Sequence, residues 1–327
     1  MKWKEYSLDE LIHIKHGYAF KGEFFSEEPT DDILLTPGNF AIGGGFKAQK
    51  LKYYDGDFPV DYILDENDVI VTMTDLSKEA DTLGFSAKVP AWYGKRFLHN
   101  QRIGLVKLKT DEFDQNFLYW LMRTFSYQRF VANGATGATV KHTSPTKICQ
   151  YKFTAPEDKA TQRKIASTLS AYDDLIENNL KRVKLLEEKA RIKFKSIQKN
   201  EKLEFKKAVE VLHFSTGKLN SNAAVPNGLY PFFTCGQEIL RTNTFSVDEE
   251  VVLLGGNNAS AIYPVFYYKG KFDAYQRTYI IKPKPEFYIS FKYLYFFWED
   301  KLDYLKNIST GAATKFLTLK ILNDIDV

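Results

Sequence analysis

The stretch TQRKIASTLSAYDDLIENNLKRVKLLEEKARIKFKSIQ (residues 161–198) holds neither Gly nor Pro and carries an apolar residue every three or four positions. Ile165, Leu169, Tyr172, Ile176, Asn179, Val183, Leu186 and Ala190 follow one another at alternating spacings of four and three. That is the 3.5-residue period of a coiled-coil seam, so one long helix is expected, with Leu175 and Ile192 flanking the stripe. Asn179 falls inside the seam, where a polar residue fixes register at a cost in stability. From residue 157 to 199 such a helix runs about 60 Å at 1.5 Å per residue. Pro156 suits its first turn, and Glu157 and Asp158 suit the positive end of its dipole.

On either side of this rod the chain repeats itself. ELIHIKHG (10–17) answers EVLHFSTG (210–217), each read as an amphipathic helical turn closed by Gly. ENDVIVTMT (66–74) answers DEEVVLLGG (248–256), and SAKVPAWYGKRF (86–97) answers SAIYPVFYYKGKF (260–272). NQRIGLVKLK (100–109) answers YQRTYIIKPK (275–284), FLYWLM (117–122) answers YLYFFW (293–298), and ATGATVK (135–141) answers STGAATK (309–315). Two diverged copies of one α+β domain are therefore expected at residues 1–155 and 205–327, with the helical spacer at 156–204. His13 and His213 fall at matching positions, which favours packing over chemistry.

The 327-residue length fits about two domains. Cys149 and Cys235 are too few and too far apart for a metal cluster or disulfide framework, which agrees with a reducing cytoplasm. The start MKWKEYSLDEL lacks the apolar stretch of a signal peptide, and no run reaches the length of a membrane span. Net charge is only +4, yet residues 181–207 hold eleven Lys or Arg against four Glu, either a solvated helix face or a polyanion contact. There is no Gly-rich cofactor loop with a D-P-P-Y or N-P-P-F tetrapeptide and no phosphate-binding G-x-x-x-x-G-K-[ST]. Glu204, Phe205 and Lys206 spell E-x-K by chance in a charged segment. No catalytic constellation stands out among five scattered histidines.

Pro156, Gln162, Arg163, Lys164, Ile165 and Ala166, followed by YDDLIENN (172–179) and LLEEKAR (185–191), resemble the helix signature of the DNA specificity subunit of Type I restriction-modification systems. The resemblance covers the whole chain. It implies two target recognition domains, each reading one half of a bipartite, asymmetric duplex site, separated by a coiled-coil-type helix that docks methyltransferase subunits. It further implies two methyltransferase subunits, restriction subunits, and S-adenosylmethionine, ATP and Mg in those partners, with no cofactor in this chain and no catalysis of its own. A stand-alone nuclease with an unrecognised active site is the competing reading, and a pure scaffold a weaker third. In one respect the pattern departs: after LKILNDIDV (319–327) the family continues into a second proline-led helix that packs against the first. A truncated, rearranged or split gene would leave the seam to pair with a second chain or another subunit.

Lys and Arg would neutralise phosphates, while loop side chains reach base edges in the major groove. In the first domain the candidates are Asn39, Lys47, Thr72, Thr74, Ser77, Lys78, Arg96, Gln101, Arg102, Lys141 and His142. In the second they are Thr234, Gln237, Arg241, Asn257, Asn258, Ser260, Gln276, Arg277 and Lys315. Glycines 43–45 and 255–256 would let backbone approach the sugar-phosphate chain. The repeated Gln-Arg pairs fit a buried, fold-defining role as well as a DNA contact.

Overall fold

The computed structural model describes residues 2–77, 79–199, 203–311 and 313–327, and divides into two units, residues 1–179 and 180–327. In the first unit an antiparallel sheet takes the order Ile12–His16, Ile103–Leu108, Val69–Thr72, Ser86–Lys88. Its strand VIVT is buried throughout because both faces are covered. Val69 and Val71 join the core beneath the helices, and Ile70 joins a separate core with Ile33, Phe97 and Ile103. A five-stranded sheet built around Asp32–Leu34 and Arg96–Leu98, paired in parallel, completes the unit.

The second unit repeats this frame in a six-stranded sheet of order Leu212–Thr216, Thr278–Pro283, Val247–Gly255, Val265–Ala274, Tyr230–Phe233, Leu240–Thr242. The repeat holds at the level of single hydrogen bonds. Met73 N–H donates to the Arg102 carbonyl at 3.0 Å, and Gly256 N–H to the Arg277 carbonyl at 2.8 Å. Thr143 N–H donates to Met73 and Leu317 N–H to Gly256, in the same roles. Ser144 and Thr318 cap corresponding short helices through their hydroxyls.

Three sequence expectations change. Residues 10–17 and 210–217 are not amphipathic helices: the helical turns Leu8–Leu11 and Ala208–Val211 give way to strands Ile12–His16 and Leu212–Thr216. Buried Ile12 and Ile14 alternate with exposed His13, the period-two pattern of a strand paired to Ile103–Leu108. His13 and His213 accordingly lie on the outer face. Second, the match between residues 66–74 and 248–256 slips by one, so that Thr72 corresponds to Gly255 and Ile70 to Leu253; Ile70 packs with Ile33 and Phe97, and Leu253 with Phe233 and Phe272. By strand pairing Ser86 likewise corresponds to Val265, not to Ser260.

The third change concerns the start of the long helix, which runs from Lys159 to Gln198, 40 residues without interruption. Pro156 belongs to the preceding strand Lys152–Pro156, paired with Trp3–Ser7. Asp158 closes the helix start, its carboxylate accepting from Ala160 N–H at 3.2 Å, Thr161 N–H at 2.9 Å and the Thr161 hydroxyl at 2.7 Å. These bonds hold its carboxyl below the usual carboxylate range.

Each unit grips its own part of this helix. In the first, Gln162 is buried, accepting from Asp114 N–H and donating to the Pro156 carbonyl, while Ile165 and Ala166 enter the core. Arg123 pairs with Asp173, donates to the Tyr119 hydroxyl and lies over the Trp120 ring at 4.3 Å. In the second unit Phe194 packs on Tyr293, and Arg191 pairs with Glu299 while lying over Phe296. Glu299 holds the position equivalent to Arg123, so the two grips have opposite polarity. Of the predicted seam, Leu169, Tyr172, Ile176, Val183 and Leu186 are 39–64% exposed, with Asn179 exposed among them and Ala190 half-buried.

Candidate nucleic-acid interface

At one end of each unit the frame gathers a short two-stranded ladder and a Gln-Arg turn. In the first unit the ladder pairs Thr74–Asp75 with Lys141–His142, and in the second Asn257–Asn258 with Lys315–Phe316. The turn abuts it through the Met73-to-Arg102 and Gly256-to-Arg277 bonds described above. Gln101, Arg102, Gln276 and Arg277 are exposed, which decides against the buried role. Among the described residues Gln101, Arg102 and Gln276 have no side-chain partner, and the Arg277 guanidinium lies over the Phe316 ring at 5.2 Å.

Behind each ladder a side-chain oxygen organises the next loop. Asp75 accepts from Ser77 N–H at 2.7 Å, Thr82 N–H at 2.7 Å and the Thr82 hydroxyl at 2.6 Å. Burial alone would raise its pKa, but the bonds from Thr82 and Ser77 outweigh burial and leave it below the ordinary value. Asn258 takes the same place, accepting from Ser260 N–H at 2.8 Å and more distantly from Ile262 N–H. Ser77 and Ser260 are therefore equivalent loop residues. His142 Nδ1 lies 3.2 Å from the Thr74 hydroxyl, and Lys141 Nζ donates to the Gly137 carbonyl. Asn257 buries its carboxamide oxygen with no partner among the described residues, and Lys315 is half-buried beside it. Lys78 lies outside the described residues.

Several candidates are engaged within the protein. Thr72 is buried and donates to the Thr74 carbonyl. Asn39 is 1% exposed and spends its carboxamide within its own turn, whose carbonyl takes the Lys47 amide; the Lys47 side chain is exposed. Arg96 is held by Asp32 through two 2.7 Å bonds, and Arg241 donates to the carbonyls of Gly228 and Leu229. Three of the five glycines are close-packing positions: a Cβ on Gly44 would meet Arg123 at 2.5 Å, on Gly255 Pro264 at 2.6 Å, and on Gly256 the Arg277 carbonyl at 2.5 Å, whereas Gly43 has open space around it and Gly45 only ordinary contacts. One repeat was missed in the sequence. LTPGNF (35–40) and FTCGQE (233–238) occupy the same turn, which places Thr234 opposite Thr36 and Gln237 opposite Asn39. The signal was a shared T-x-G followed by a carboxamide.

Among the described residues no group of three or more His, Cys, Asp or Glu is arranged to hold a metal. Nor, among them, is any helix long and apolar enough to cross a membrane.

A duplicated α+β frame, each copy with an exposed polar turn and each gripping its own part of one long helix, defines a two-domain repeat protein. The chain belongs to the Type I restriction modification DNA specificity domain family, whose model matches residues 1–188 and 200–327. It is 36% identical over 118 residues, 36% of this chain and 25% of the relative, to the Type I restriction enzyme EcoDI specificity subunit of Escherichia coli. To the EcoBI specificity subunit of the same organism it is 25% identical over 174 residues, 52% of this chain and 33% of the relative. These matches thus span a quarter to a third of the length of the curated relatives. A crystal structure of a Type-I restriction-modification system S subunit from M. genitalium shares the fold, with TM-score 0.70 and 18% identity over all of this chain and 84% of that one.

Proposed function

We propose that this chain is the sequence-reading, non-catalytic subunit of a Type I restriction-modification complex, with residues 1–155 and 205–327 as its two target recognition domains and 156–204 as their spacer. One observation carries the reading: both copies expose a Gln-Arg turn on the same hydrogen-bonded frame, while the flanking loops differ. Exposed Arg and Gln side chains with no hydrogen-bond partner among the described residues suit guanine and adenine edges in the major groove. Differing loops give each head its own half-site in double-stranded DNA. Two methyltransferase subunits and the restriction subunits would supply chemistry, with S-adenosylmethionine, ATP and Mg bound there, in the cytoplasm. The exposed seam from Leu169 to Leu186 suits a helix of a partner subunit or of a second copy. Light scattering tests the latter, a monomer at high concentration counting against self-pairing.

Nothing favours the stand-alone nuclease. Co-expression with a candidate methyltransferase subunit, followed by mapping of methylated sites, tests the whole reading. A two-part motif with a fixed gap is expected; methylation without sequence preference would overturn it.

A further inference from the structure

We propose that Gln237 and Arg277 together form the base-reading pair of the second head, and that the equivalent turn of the first head, closed by Asn39, reads no base. The proposal deepens the DNA-reading function and rests on it.

The two turns share backbone position, and their carboxamide side chains, Asn39 and Gln237, differ by one methylene. In the first, Asn39 Oδ1 accepts from Thr36 N–H at 2.9 Å and from the Thr36 hydroxyl at 3.1 Å, and Nδ2 donates to the Lys47 carbonyl at 3.2 Å. A short carboxamide is thereby consumed inside the protein. In the second, the Thr234 hydroxyl takes the Gly236 amide at 3.2 Å, so the turn closes without help from residue 237. Gln237 is exposed and has no side-chain bond among the described residues. Its turn adjoins the Gln-Arg turn: Cys235 Sγ donates to the Arg277 carbonyl at 3.4 Å. Arg277 is steadied over Phe316, which lowers the entropy lost when its guanidinium binds. A carboxamide and a guanidinium thus project from neighbouring turns.

A carboxamide offers a donor and an acceptor to adenine N7 and N6, and a guanidinium offers two donors to guanine O6 and N7. The half-site read by the second head should therefore contain an adenine and a guanine set by these residues.

The test uses the full chain with its methyltransferase partner and selects bound duplexes from a randomised pool. Gln237→Ala should relax one position in one half-site, with roughly 10- to 100-fold lost discrimination, and leave the other half and the melting temperature unchanged. Gln237→Glu, an acceptor only, should move that position from adenine toward cytosine. Arg277→Lys should relax a second position in the same half, and Asn39→Ala should lower the melting temperature without altering either half. If the wild-type protein selects a two-part site and Gln237→Ala selects the same one, the assignment is overturned while DNA reading stands. If the wild-type protein selects no sequence, both fall.

Discussion

Gly17 and Gly217 lie where a single methyl group has no room: an added Cβ would sit 2.1 Å from the Asn100 carbonyl oxygen in one unit and 2.0 Å from that of Ala274 in the other. Gly17→Ala is expected to cost about 3 kcal/mol, at the upper end of overpacking, because the obstacle is backbone. A urea melt of the variant checks this. Beside it, buried His99 donates or accepts through Nε2 with the Ile103 carbonyl at 2.9 Å, and its Nδ1 has no partner among the described residues. Burial drives its pKa from 6.5 down to about 4, the Ile103 bond opposing only in part. A base with a depressed folded pKa gives its full stabilisation above pH 6.5, loses it as pH falls toward 4, and has none left below. The swing is on the order of 3 kcal/mol. Hydrogen exchange in the strand Ile103–Leu108 should accelerate between pH 6.5 and 4 beyond the intrinsic rate, and His99→Gln should flatten the response. The second unit has Ala274 there and should lack it. Neither property was legible in the sequence, where Gly17 passed for a helix cap and His99 for one scattered histidine. Both depend on a backbone crossing that only the fold creates.

At the scale of elements, the opposite polarity of the two helix grips makes a direct forecast. Asp173→Arg would face Arg123 across a partly buried contact and should weaken docking of the helix by about 1–2 kcal/mol after solvent screening. Adding Arg123→Glu, which copies the charge of Glu299, should restore most of it. Thermal melts and hydrogen exchange of residues 165–173 measure both; failure of the second change to rescue would leave the salt bridge without a positioning role. The long helix and the duplication could be read from the sequence because both rest on spacing kept over dozens of residues. Strand register could not. VIVT and VVLLG are buried on both faces, so no alternation of polar residues marks which side chain points where, and a one-residue slip is invisible. Likewise ELIHI satisfies a helical and a strand period within five residues. Among the candidate contacts, the ladder residues and Gln-Arg pairs stand out in the sequence because they repeat, whereas the bonds that tie Arg96 to Asp32 and Arg241 to Gly228 join residues distant in sequence and leave no local signal.

For the whole molecule, affinity for duplex DNA should fall steeply with salt, in proportion to the phosphates neutralised, while the preferred sequence stays the same. A plot of log affinity against log salt with no slope would argue against phosphate contacts. Inserting four residues between Asn179 and Leu180 lengthens the helix by about 6 Å and turns it by about one turn. The gap between half-sites should change in a selection experiment; recovery of the original gap would show that the helix does not set it.

The strand Trp3–Ser7 runs antiparallel to Lys152–Pro156, and in the second unit Lys207 bridges to Asp326 in the same way. The backbone segments that bound each unit therefore lie side by side, like the two pins of a plug. Recombination at those borders could graft a foreign reader onto the same rod and give the host a new target in one genetic step. A successful graft would also have to match the sign of the charge waiting on the helix.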